Sequence, residues 1–377
     1  MQLLSGLDTP SAIIDTTRMR HNIERMQARM DQLGVRFRPH VKTSKSLPVV
    51  QEQMAAGAQG ITVSTLKEAE QFFAAGIRDI LYAVCVVHTK LPHVLQLRRE
   101  GCDLKIITDS VAGAQAIVAF GREQGEAFEV WIEIDVDGHR SGIPPEGTAL
   151  VDVASVLHEG GMKLGGVMAH AGSSYDCSDP ESLARIAEQE RAGTVRAAQR
   201  IRDAGLPCAV VSVGSTPTAL SAKHLAGVTE VRAGVYVFFD LVMRNVGVCS
   251  FDDIAMSVLT TVIGHQQDKG WAIVDAGWMA MSRDRGTEKQ AHDFGYGQVC
   301  TEDGVPIEGY VVSGANQEHG IVSRVGDADR DIASRFPVGT RLRVFPNHAC
   351  ATAAQHPEYH AIDEDGHVET WPRFYGW

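Results

Sequence analysis

Apolar positions along this chain follow two alternating rhythms. Met19, Ile23, Met26 and Met30 are spaced by 3 and 4 residues, which puts them on one face of a helix. Thr16 or Thr17 is its candidate cap and Gly34 its stop. From residue 35 onward, short runs rich in branched residues alternate with longer helical patterns. After an N-terminal strand at 11–15, the runs predict eight strands at 35–38, 60–63, 79–84, 103–107, 129–134, 164–169, 209–213 and 230–233. The patterns between them predict helices at 47–56, 66–75, 91–99, 111–121, 148–158, 180–204 and 217–225, with Gly57, Gly76, Gly101, Gly160 and Gly205 at helix ends.

Eight strands, nearly all followed by a helix, read as an α/β fold of the (β/α)8 TIM-type barrel class over residues 16–245. The competing doubly wound sheet usually carries a glycine-rich dinucleotide fingerprint after its first strand. Here Pro39-His40-Val41-Lys42-Thr43 stands in that place. After Val248 the texture changes to short β-rich segments (255–264, 271–275, 310–313 and 341–345) between Gly- and Asp-rich turns. Residues 246–377, completed by 1–15, therefore form a smaller β domain.

With 377 residues, the chain has room for both parts. No stretch nears the ~20 apolar residues that span a bilayer, and no basic-then-apolar leader opens the chain, so the expected location is cytoplasmic. A net charge of −12 argues against a nucleic-acid partner, and requires that any anionic ligand be drawn in by a local positive cluster. The seven cysteines are odd in number and scattered, with no CxxC pair, so neither a disulfide framework nor a zinc knuckle is indicated.

Chemistry in a barrel concentrates where its strands end. The first barrel strand, 35–38, leads to Lys42 and Lys45, either loop lysines in solvent or, for one of them, a reactive amine. The fifth leads to Asp137-Gly138-His139-Arg140 and the sixth to His170 and Tyr175. The seventh leads to Gly214-Ser215-Thr216 and the eighth to Gly234-Val235-Tyr236. Bare glycine N–H groups and hydroxyl donors in the last two loops suit an anion, and that is the usual phosphate position of this fold. A phosphate cradle together with a strand-end lysine points to pyridoxal 5'-phosphate. His170 and Tyr175 are candidates to border its ring. Arg140 is either a donor to the cofactor or a salt-bridge partner of Asp137 or Asp135.

In the β domain, His348 and Cys350 lie two apart on a strand-like stretch and would face the same way. An imidazole and a thiolate make a half-site for a borderline-soft ion such as zinc, with positions left open as in a catalytic site. A buried Cys beside a hydrogen-bonded His gives the same spacing. His356 and His360 read as surface loop residues, and Gln317-Glu318-His319 is a further polar cluster.

Pro-His-Val-Lys-Thr, Gly-Ser-Thr-Pro-Thr, Ala-Gly-Val-Tyr-Val-Phe-Phe-Asp, Glu-His-Gly and Asn-His-Ala-Cys together resemble the D-threonine aldolase / D-serine dehydratase family of alanine racemase-like enzymes, over residues 7–377. The resemblance implies Lys42 as the Schiff-base lysine and His348 with Cys350 as ligands of a divalent metal (Zn, Mn, Mg or Co). It implies Gly214, Ser215, Thr216, Gly234, Val235 and Tyr236 around the phosphate, with Tyr175 near the ring.

Relatives often carry Asn where this chain has Val235. Aldolase members tend to have His-x-Asp at the metal, so Cys350 favours elimination of water over retro-aldol cleavage. The expected enzyme is a dehydratase of a D-3-hydroxy amino acid (D-threo-3-hydroxyaspartate, D-serine or D-threonine), working as a homodimer. Aldol cleavage, or a non-enzymatic cofactor-carrying barrel, is the alternative. A dicarboxylic substrate needs an extra cation, for which His40, Arg140 and His319 are candidates, with Gln317 beside them.

Overall fold

The computed structural model describes residues 4 and 6–377. It divides into two compact units: Glu24–Gly234 with Phe374–Trp377, and residues up to Ile23 with Val235–Arg373. The first strand, β1 (Ser11–Asp15), belongs to the second of these.

The larger unit holds eight parallel strands: β2 (Arg36–Phe37), β3 (Ile61–Val63), β4 (Asp79–Cys85), β5 (Asp103–Thr108), β6 (Glu129–Ile134), β7 (Lys163–Ala169), β8 (Val210–Val213) and β9 (Glu230–Val231). Each pairs with its successor from β3 to β9, and β9 pairs back to β2. The ring closes where Val41 N–H donates to Thr62 O (2.9 Å) and Thr62 N–H to Pro39 O (2.8 Å). The alternation of strand and helix thus becomes a (β/α)8 barrel, with the hydrogen-bonding edges abolished. Leu81, Ile107, Trp131 and Met168 pack inside it.

One end of the barrel interior is charged. Arg38, 1% exposed, bonds Glu230 through Nε (2.8 Å) and Asp79 through both terminal nitrogens (2.8 and 3.1 Å). A buried guanidinium is tolerable when its fork is filled by carboxylates in this way. The root of the Lys42 turn is therefore anchored by side-chain ion pairs as well as by strand pairing.

In the second unit, β10 (Met256–Gln266), β11 (Trp271–Val274), β12 (Gly297–Thr301), β13 (Pro306–Ala315), β14 (Gly320–Arg324) and β15 (Arg341–Pro346) close into a six-stranded antiparallel barrel. β1 adds to β10, and β16 (Glu358–Ile362) and β17 (Val368–Pro372) extend the sheet beyond it. Its core is Val258, Val262, Val274, Val299, Val312, Val322, Leu342 and Val344, drawn from all six strands.

β12, β14, β16 and β17 lie outside the predicted segments, because they are short and broken by polar residues. No described helix is long and apolar enough to cross a membrane. All seven cysteines are free.

Candidate active site

Lys42 sits on a turn of residues 41–44, which closes where Lys45 N–H donates to Val41 O (2.8 Å). It is exposed, and its side chain makes no hydrogen bond or ion pair with any described residue. Lys45 is engaged: its Nζ lies 3.8 Å from Glu68 and 5.6 Å from the Trp377 ring centroid. Of the two loop lysines, only Lys42 has a free amine.

Around this turn the barrel gathers positive charge. The His40 imidazole is pushed well below its ordinary value by burial first, then by Lys42, Arg232, His170 and Arg140. His170, whose Nδ1 is 3.0 Å from Gly214 O, is pushed down to about 3 by burial, with Arg140, Lys42 and Arg232 adding to it. Both imidazoles are neutral near pH 7. Arg140 is exposed and has no hydrogen-bond or ion-pair partner among the described residues.

The acids proposed as partners for Arg140 are each engaged elsewhere through one oxygen. Asp137 accepts from Ser173 N–H and Oγ–H (both 2.8 Å), and Asp135 from Gly138 N–H (2.7 Å). Asp137 Oδ1 is buried with no hydrogen-bond partner, and no ion pair joins Arg140 to either acid among the described residues. In a protein of net charge −12, these groups form the local cluster an anion requires.

The loops after β8 and β9 come close to the backbone around them. Gly214 has φ +137°, and a Cβ there would meet Arg232 O at 2.0 Å. A Cβ on Gly234 would stand 3.0 Å from His40 O and 3.3 Å from Thr43 Oγ1. Gly214 is needed for both conformation and room, while a side chain at Gly234 would press on its neighbours by a few tenths of an ångström. Ser215 caps the helix Thr216–Ser221 through Thr218 N–H (3.2 Å) and bonds Ser174 Oγ (2.9 Å). Tyr175 lies 6.2 Å from His170, ring to ring. Val235 and Tyr236 open a 3-10 turn, Val235–Val237, at the start of the second unit.

Sequence reasoning missed Glu190 and Arg232. Glu190, buried on the helix Pro180–Asp203, accepts from Ala171 N–H (2.8 Å) and Gly214 N–H (3.1 Å), tying the loops after β7 and β8 together. Arg232 is buried, with Nε donating to Ser212 Oγ (2.9 Å) and Nη2 to Ala169 O. Neither residue has a local motif to announce it.

In the second unit the strand reading of His348 and Cys350 needs correction. β15 ends at Pro346, His348 is an extended residue (φ −135°, ψ 105°), and Ala349–Ala353 is a helix. The two side chains come together through this strand-to-helix turn, close enough for the Cys350 charge to act on the imidazole. His348 Nδ1–H donates to Asp284 Oδ2 (2.6 Å), which leaves Nε2 for another partner. Its side chain retains 43% of its surface, enough for a ligand to reach.

Burial alone would lower His348. The Cys350 charge and the Asp284 hydrogen bond outweigh it and raise the imidazole well above its ordinary value. Buried Asp240 accepts from Ala349 N–H (2.9 Å) and Met243 N–H (2.9 Å), fixing the turn. An imidazole–sulfur pair backed by two carboxylates fits a divalent cation: the negative charge that favours a proton on His348 also favours a metal ion.

Gln317 and His319 are exposed on the turn between β13 and β14, where Asn316 N–H donates to His319 O (2.8 Å). His356 is buried with Nε2 2.9 Å from Ala280 O, and His360 lies on β16; neither is a loop surface residue. A separate trio, Cys85, Asp109 and Glu133, has ligand-competent atoms within 4.8 Å of one another. Its thiol donates to Glu133 (3.3 Å), while Asp109 and Glu133 also accept from Gly142 N–H and Ser141 Oγ–H, bonds that secure the loop after β6.

Comparison with known proteins places the chain in a family. The profile for the alanine racemase N-terminal domain matches residues 14–242, and a serine dehydratase domain matches residues 255–362. D-threo-3-hydroxyaspartate dehydratase of Delftia sp. (strain HT23) is 69% identical over 376 residues, 99% of each chain. The chain belongs to the D-serine dehydratase/D-threonine aldolase family of alanine racemase-like enzymes.

The solved Delftia structure superposes with a TM-score of 0.98, covering 100% of this chain and 99% of that one. Structures of that protein include variants with alanine in place of a histidine and of a cysteine, one residue between them, the cysteine variant being in a metal-free form. Within the family, D-threonine aldolase from Filomicrobium marinum is 26% identical, with a TM-score of 0.84 over 98% of this chain and 96% of that one.

Proposed function

We propose that this protein is a pyridoxal 5'-phosphate- and divalent-metal-dependent dehydratase that removes water from D-threo-3-hydroxyaspartate, yielding a 2-oxo acid and ammonia. The observation that carries the reading is 69% identity over 376 residues with D-threo-3-hydroxyaspartate dehydratase of Delftia sp. (strain HT23). When bound, the cofactor supplies an electron sink for charge at Cα, and the metal a Lewis acid for the β-hydroxyl.

The residues then take these roles. The unpartnered Lys42 holds the cofactor and, once released, takes the Cα proton at Nζ. Gly214, Ser215, Thr216, Gly234, Val235 and Tyr236 offer N–H and O–H donors to the phosphate. His170 and Tyr175 border the ring, and Arg140 donates to a ring oxygen. His348, through Nε2, and Cys350 hold the metal, for which an N/S pair makes zinc the first candidate and Mn, Mg and Co the outcomes to test. Of the cations considered for a second carboxylate, His40 is disfavoured because burial keeps it neutral. Arg140 is charged and unpaired among the described residues, and His319 and Gln317 are exposed on their turn. A cytoplasmic homodimer is the working form.

The deciding experiment is a panel of D-threo-3-hydroxyaspartate, D-serine, D-threonine and their L-isomers, scored for ammonia and 2-oxo acid. Glycine with an aldehyde instead would make the protein an aldolase. No turnover with cofactor bound would make it a carrier. EDTA treatment should abolish turnover on the D-isomers while the yellow cofactor stays bound.

A further inference from the structure

The two lysines of the turn after β2 are held in opposite ways. Lys45 is fixed at backbone and side chain. Its carbonyl accepts from Phe374 N–H (2.6 Å), and its Nζ lies between Glu68 (3.8 Å) and the Trp377 ring (5.6 Å). Its φ is +45°, a left-handed conformation that a lysine keeps only when its surroundings impose it.

The groups that impose it are themselves anchored. The Phe374 ring packs edge-on against Phe72 at 4.9 Å. Glu68 is buried, and its Oε2 accepts from Ser64 N–H (2.9 Å) and Thr65 N–H (2.7 Å). Its other oxygen has no hydrogen-bond partner, so Lys45 is the counter-charge it faces.

We propose that Lys45 is a positioning residue. Clamped by Glu68 and by residues 374–377, it fixes the exit of the turn and so the place from which Lys42 reaches the cofactor. This rests on Lys42 being the cofactor-holding lysine. Binding energy for a flexible amine is lost to disorder of its root, and a rigid turn removes that loss. The same clamp keeps the Lys45 amine engaged, so that only one of two neighbouring lysines meets the aldehyde.

The test uses the full chain and three variants: Lys45→Met, Lys45→Arg and Phe374→Ala. Borohydride reduction of the wild-type holoprotein and peptide mapping come first, with the label expected on Lys42; a label elsewhere overturns the Lys42 reading itself, before any variant is made. In Lys45→Met and Phe374→Ala, amide exchange over residues 41–46 should quicken and cofactor affinity fall, each by about tenfold, with bound metal unchanged. Lys45→Arg keeps the charge and should recover affinity to within about twofold of wild type. Wild-type exchange and affinity in both Lys45→Met and Phe374→Ala, or failure of arginine to rescue, would overturn the clamp. Should Lys45→Met not fold, Phe374→Ala decides, since it leaves the turn's own residues intact.

Discussion

The turn after β2 and the turn after β15 both begin where a strand ends, yet they treat their chemical groups differently. At the first, the scaffold fixes everything except the tip of Lys42: Arg38 is locked in ion pairs, Lys45 is clamped, and Lys42 Nζ has no partner among the described residues. At the second, the tip itself is fixed, with His348 held through Nδ1 by Asp284 and the turn by Asp240. The contrast suits the roles proposed above: an amine that must exchange covalent partners has to be free beforehand, whereas a metal ligand gains affinity from being held in place.

The largest effect should come from Lys42. Lys42→Ala is expected to lower turnover by roughly 10⁴-fold or more and to abolish the yellow absorption of lysine-bound cofactor. A variant that stayed yellow and active would break the contrast at its first half. His348→Ala and Cys350→Ala come next. Each should lose the metal and on the order of 10³-fold in elimination rate while retaining the cofactor, as read by elemental analysis beside the absorption spectrum. An ion retained in both variants would move attention to Cys85, Asp109 and Glu133.

A smaller effect sharpens the second half. Asp284→Asn keeps the size of the side chain but weakens its hold on Nδ1–H, and metal affinity measured calorimetrically should fall about 10–100-fold. Unchanged affinity would mean that Asp284 braces the loop without tuning the ligand.

The smallest effect concerns pH. His170 is held at about 3 in the folded protein by burial and neighbouring positive groups, below its value of 6.5 when unfolded. Its neutral form is therefore an advantage to the folded state above pH 6.5, and the unfolded chain binds the extra proton as pH falls from there towards 3. Denaturant unfolding should show stability decreasing from pH 7.5 to 5, with His170→Gln flattening that slope by on the order of 1 kcal/mol. A slope unaffected by the substitution would locate the acid sensitivity elsewhere.

Local pattern made much of this legible. Apolar spacing placed the eight barrel strands and their helices close to their observed positions, because strand and helix periods are properties of neighbouring residues. The glycine–hydroxyl loops and the strand-end lysine could be read in the same way.

Other features depend on residues far apart in the chain, which spacing does not connect. Asp284 reaches His348 and Glu190 joins Ala171 to Gly214. Phe374 and Trp377 separate Lys45 from Lys42 in behaviour although the two lie on one turn. Even the His348–Cys350 pairing, legible as a motif, arises from a strand-to-helix turn rather than from strand alternation. The sequence by itself determined which segments are strands and helices and which residue types stand at their ends. Only the tertiary structure decided which of those residues are held and which are left free, since a side chain's partners come from whatever the fold brings beside it.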